Sequence, residues 1–149
     1  MVDFVRILQD YCVANGYEYH YGKKANLNLL SSDLDINKIY CLHEPSSRKT
    51  EMNSNKSKVK SYLFSGLFML VKKSDLDMPY FKEKNNSESI SKYVVNIEPL
   101  LTIFKKMAND WGCTDIELVQ LDCVDAVDLF DNNNDGIIVT YQIRINEFN

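Results

Sequence analysis

The stretch from Glu117 to Glu147 constrains the fold most, because apolar residues alternate with polar ones on both sides of a cluster of turn formers. Ile137, Val139, Tyr141, Ile143 and Ile145 take every second position, and Ile116, Leu118, Val119, Leu121, Cys123, Val124 and Val127 form a looser series before them. A period of two places one face of a strand against a core. Between the two runs lies Asp131-Asn132-Asn133-Asn134-Asp135-Gly136, whose residue types tolerate positive φ and hydrogen-bond their own backbone. The stretch predicts a long β-hairpin with one buried face and the turn 131–136 at its tip.

The same turn carries the most motif-like pattern in the chain. Asp131, Asn133, Asp135 and Gly136 fit the opening of an EF-hand calcium loop, D-x-[DN]-x-[DN]-G. An EF-hand also needs a bidentate carboxylate at loop position twelve and a helix on each side. Here that position is Gln142, and the residues that follow Gly136 are β-branched and aromatic strand formers. A plain hairpin turn accounts for the pattern, with Asp131, Asn133 and Asp135 left as the candidate ligands of an alternative calcium site. No other motif supplies a nucleophile with its base, a metal cluster or a phosphate loop, and no cofactor is called for.

From the start of the chain, Val2, Phe4, Val5, Leu8, Cys12 and Val13 recur at spacings of three and four, the stripe of an amphipathic helix with Asp3 in its first turn and Gly16 as its stop. Tyr17, Tyr19 and Tyr21 then alternate with Glu18 and His20 as a strand, and Gly22-Lys23-Lys24 reads as a turn. Leu27 to Leu30 is either a short return strand or part of a loop. Ile36, Ile39, Cys41 and Leu42 point to a further strand ending at Glu44-Pro45. His20 and His43 fall on these strands without a Ser, Cys or Asp at any recognisable spacing, which fits exposed or hydrogen-bonded strand residues better than catalysts.

Pro45 to Lys60 turns abruptly to Ser, Asn and Lys. It reads as a mobile loop, and Arg48, Lys49, Lys56, Lys58 and Lys60 against the single Glu51 give it a positive charge. Such a run is either a solvated connection or an arm that contacts a partner protein or a nucleic-acid backbone. Val59 to Lys73 is apolar on both parities in its middle, as in a central strand buried on both faces or one bulged at Gly66. Ser74 to Ser87 is polar around an apolar island, Met78 to Phe81. Ile90, Tyr93, Val94, Ile97, Leu101, Phe104 and Met107 then trace a helix through Trp111 to a cap at Gly112. Pro99 lies inside that stripe, so either the helix kinks near Asn96 or a fresh helix begins at Glu98. Trp111 alone reads as a core edge.

Composition removes several classes. The 149 residues suit a single domain, and a net charge of −4 argues against a whole-surface grip on nucleic acid. Cys12, Cys41, Cys113 and Cys123 form no C-x-x-C pair, so zinc is disfavoured; with no signal-peptide pattern, reduced and buried thiols are the expectation. The longest apolar run, Tyr62 to Val71, is too short to span a bilayer. Two helices on one face of a mostly antiparallel sheet, closed by the long hairpin, make a two-layer α+β domain.

The pattern Pro99-Leu100-Leu101-x-x-Phe104 leading into a strand, followed by the hairpin Val127-x-Leu129-Phe130 with its Asp131 to Gly136 turn and Ile137-Ile138-Val139, resembles the tail-terminator and neck or tail-completion (head–tail connector) proteins of tailed bacteriophages, particularly those infecting Bacteroidetes. The likeness covers Ser89 to Phe148. It implies a non-enzymatic virion structural protein, made in the host cytoplasm, that forms a homo-oligomeric ring. The ring would join portal or head to tail, with neighbouring neck, tail or portal proteins as partners, passing contact with DNA and no membrane. Arg48, Lys49, Lys56, Lys58 and Lys60 are then the candidate partner contacts. The alternative is a small calcium- or ligand-binding module that uses the 131–136 turn.

Overall fold

The computed structural model describes residues 3–23, 34–74, 91–129 and 134–147. In chain order the elements are α1 (Phe4–Ala14), β1 (Glu18–Tyr21), β2 (Ile39–His43), β3 (Ser47–Met52), β4 (Val59–Lys73), a π-helical turn (Tyr93–Ile97) that runs into α2 (Glu98–Gly112), β5 (Ile116–Leu129) and β6 (Asn134–Asn146). The chain is α+β: an open six-stranded sheet ordered β1-β2-β4-β6-β5, with β3 also paired to β4. All pairings are antiparallel except β1 with β2.

Strand β4 is the spine. Along one side it pairs with β6 without interruption from Ser61↔Asn146 to Lys73↔Asn134. Along the other side β2 and β3 lie end to end, β2 against Phe68–Lys72 and β3 against Val59–Ser65. The chain breaks between them at Glu44–Ser46, opposite Gly66. A Cβ on Gly66 would lie 2.9 Å from Tyr141 Oη and 3.1 Å from Ser46 Cβ, so glycine is required there by close approach. The register of β4 on β6 stays continuous through Gly66, so of the two readings of this run the bulge at Gly66 is not realised; the register shifts lie in β5, between Leu118 and Gln120 and between Ala126 and Leu129, and in β3, between Glu51 and Met52.

The sheet face beneath the helices buries Phe4 and Leu8 of α1, Leu100, Met107 and Trp111 of α2, and Phe64, Phe68, Val139, Tyr141 and Ile143 of the sheet. Burying each large side chain here contributes roughly 1.5–3 kcal/mol. Edge-to-face contacts order the middle of this core, with Phe4 5.5 Å from Trp111 between ring centroids. The opposite face carries a smaller cluster of Leu34, Tyr40, Leu42, Met69 and Val71. Phe68 to Val71 is therefore buried on both parities, as the apolar run predicts.

Local chemistry explains the helix ends. Asp3 is the N-cap of α1, accepting from the Val5 N–H at 3.0 Å. Gly16, at φ +76°, closes the other end, where the Tyr17 N–H reaches the Cys12 carbonyl at 2.8 Å. Pro99 falls in the first turn of α2. The turn before it widens to the π form, with the Glu98 N–H bonded to the Tyr93 carbonyl. That widening takes the strain a proline would otherwise place on the carbonyl four residues back. Both readings of the proline are thus partly realised.

Three expectations need correction. Pro45 to Lys60 is not a loop: Ser47–Met52 is β3, and only 53–58 forms the turn into β4. Ile36 lies in a turn rather than a strand and is 55% exposed, because Asp35 Oδ1 holds the Asn37 N–H in a local turn and β2 starts at Ile39. Asn134, Asp135 and Gly136 belong to β6, paired to Lys73, Lys72 and Val71 of β4, so Gly136 is an extended strand residue instead of a positive-φ turn glycine. The segments Leu27–Leu30 and Met78–Phe81, and the tip residues 130–133, lie outside the described residues. No helix among the described residues is long and apolar enough to cross a membrane.

Candidate assembly interface

The basic residues singled out in the sequence all fall on one ordered hairpin. In β3 every residue except Glu51 is exposed, and the turn is held by Asn53, whose Oδ1 accepts from the Ser57 N–H at 2.9 Å. Lys56 sits at φ 53° in that turn. Pairing with β4, rather than any apolar stripe, makes β3 a strand. Two of its charges are engaged within the chain: Arg48 pairs with Asp3 and lies 4.9 Å over the Phe64 ring, while Glu51 accepts from Arg144 Nε at 2.8 Å and from Ser61 Oγ at 2.6 Å. Those donors hold the Glu51 carboxyl below its ordinary range, Arg144 first. Lys56, Lys58 and Lys60 form no ion pair with a described residue and are exposed; Lys49 is exposed beside Glu51. Pro45 to Lys60 carries a net charge of +4 in a chain of net charge −4, which leaves −8 on the remainder.

Part of that negative charge rims a groove which sequence reading missed. Where α1, α2 and the base of the β5–β6 hairpin meet, a depression of about 470 Å³ has Ile7, Tyr11, Trp111, Ile116 and Ile145 as its apolar lining. Asp10, Asp110 and Asp115 stand around it. Asp110 is anchored by Lys106 Nζ at 2.7 Å and by the Tyr11 hydroxyl at 3.0 Å, which together lower its pKa. Tyr11 is pushed the other way, by burial first and then by Asp110. The signal available in the sequence was an aspartate beside an aromatic near the end of each helix, Asp10-Tyr11 and Asp110-Trp111. Nothing local says that those helix ends meet.

The EF-hand pattern comes apart in space. Asp131 and Asn133 lie outside the described residues. Asp135 is fully buried within β6, its Oδ2 accepting from Asn96 Nδ2 at 2.9 Å. The carboxylate therefore fastens the π turn to the sheet. Among the described residues no three His, Cys, Asp or Glu side chains gather as a metal site.

His43 is the hydrogen-bonded strand histidine of the two readings the sequence left open, buried at the end of β2 against Phe4, Phe68 and Tyr141. It is fully buried, with Nδ1 2.7 Å from Tyr19 Oη and Nε2 2.7 Å from Tyr141 Oη. Burial pushes its pKa down to about 4, the negative charge of Asp3 opposing that shift. The two tyrosines are raised by burial and keep their protons, so each can donate to or accept from the neutral ring. His20, by contrast, is half-buried and stacks on Tyr40. The expectation of buried thiols holds for Cys12 and Cys41, which are free and in contact, the Cys41 thiol raised well above its usual range by burial and by Cys12, but not for Cys113, which is exposed at the end of α2, nor fully for the half-buried Cys123. No protein-family model matches the chain, and no curated protein matches it in sequence.

Proposed function

We propose that this chain is a non-enzymatic structural subunit that works in multiple copies, as a ring in the neck or tail-terminator region of a tailed-phage particle between portal and tail. The observation that carries the reading is the β3–β4 hairpin. Its outer strand is exposed at nearly every position and adds little to the core, yet it is ordered and opposite in charge to the rest of the chain. A solvated connection has no need of that geometry, whereas an arm that seats on a neighbour does. The open sheet adds a second feature of an assembling subunit, a long edge strand, β5, with Val119 and Val124 exposed. The resemblance over Ser89 to Phe148 supplies the particular setting.

The test is the mass of the purified chain beside a variant in which 53–58 is replaced by a two-residue hairpin turn, with both preparations viewed by negative-stain electron microscopy. The proposal expects closed rings or discrete oligomers from the full chain and a folded, dissociated variant. Equal masses for the two would remove the arm from the account.

A further inference from the structure

We infer that the acidic groove between α1, α2 and the base of the β5–β6 hairpin is the receptor for the basic β3–β4 arm of a second copy of this chain. The inference rests on the assembly reading above and names the two surfaces that meet. Groove and arm match in two independent ways. The rim offers the carboxylates of Asp10, Asp110 and Asp115, with Lys106 engaged by one of them, against the exposed cations Lys56, Lys58 and Lys60. The apolar lining offers Trp111 and Ile145 against Met52, which stands 44% exposed at the end of β3. A depression of about 470 Å³ has room for the Met52 side chain and a lysine stem.

The arm does not reach the groove of its own chain. Its root is fixed next to the rim, because Ser61 pairs with Asn146 and the Glu147 N–H bonds to the Lys60 carbonyl at 2.9 Å. From there the turn 53–58 runs on beyond the end of β6, and no residue of 47–60 lines the groove. The occupant therefore comes from another molecule. Because the two patches differ, the contact passed head to tail from copy to copy is heterologous and closes a ring, whereas exchanged by two facing copies it makes an isologous pair.

Charge reversal tests this with both surfaces in their full chains. One variant carries K56E and K58E on the arm; another carries D10K and D115K on the rim. Each position is exposed, and circular dichroism confirms folding before the masses are compared. Each reversal alone is expected to weaken self-association by about tenfold or more, in the range of a few exposed ion pairs lost and turned repulsive. Mixing the two variants restores attraction at both contacts, since the intact arm of one meets the intact groove of the other while the reversed arm meets the reversed rim, and a mixed species of both chains appears. A chain bearing all four changes associates again. If the unaltered chain is an oligomer that neither reversal disturbs, or the mixture stays dissociated, the arm-in-groove contact is overturned while the assembly reading survives. An unaltered chain that stays monomeric at every concentration overturns both.

Discussion

The buried His43 makes a prediction about stability that follows from two hydrogen bonds and one shifted pKa. In the unfolded chain an imidazole takes up its proton below about pH 6.5. In the folded chain burial delays that to about pH 4. Between those values the unfolded state holds the extra proton, so stability is complete above about pH 6.5, falls as the pH is lowered, and levels off once the folded pKa is passed. The gap corresponds to about 3 kcal/mol, a large share of the stability of a domain this size. Protonation also leaves both ring nitrogens as donors, so Tyr19 and Tyr141 must both act as acceptors. Urea unfolding across that pH range, on the natural chain and on His43→Gln, isolates the effect, because glutamine does not titrate while the carboxylates are common to both. The stability difference between the two chains should move by about 3 kcal/mol against the natural chain from pH 7 to pH 4. Parallel profiles would mean that His43 does not take up its proton more readily on unfolding.

The remaining predictions concern packing, thiols and the turn. Gly66→Val should cost about 1–3 kcal/mol in urea unfolding, because its Cβ would meet Tyr141 Oη and the Ser46 backbone, whereas Gly112→Ala, with nothing within 4 Å, should be neutral or slightly stabilising. Titration with a chromogenic disulfide should find the exposed Cys113 reacting fastest and Cys123 slowed by partial burial, with Cys12 and Cys41 silent until the chain unfolds. Asp135→Ala should cost about 1–3 kcal/mol by stranding the buried Asn96 amide, and the thermal midpoint of the natural chain should not move with calcium or with chelator. A chelator-induced loss of stability would restore the calcium alternative.

How much of this was legible varies element by element. Periodicity was enough for α1, the stripe of α2 and the alternation of β6, since each buries a regular face of the main core. It failed for Ser47–Met52, where the sequence SRKTEM has no apolar period: backbone pairing with a fifteen-residue β4 imposes the strand, and the side chains stay in solvent. The same cause extends β6 back to Asn134. Lys72 and Lys73 of β4 still offer pairing groups there, which outweighs the turn preference of Asn and Asp. The arm charges were visible as composition. The groove was not, because Tyr11, Trp111 and Ile145 meet only once both helices and the hairpin are in place. His43 was hidden likewise, its partners lying 24 and 98 residues away.

Self-assembly through surfaces of opposite charge ties the basic arm, the acidic groove and the open sheet edge together. Sedimentation velocity on the unaltered chain, over a concentration series at low and then at high salt, tests it most directly. The expected result is a species several times the mass of a 17.3 kDa monomer at low salt, shifting toward monomer as salt screens the arm and the groove rim. A single 17.3 kDa species at every concentration and salt would contradict it.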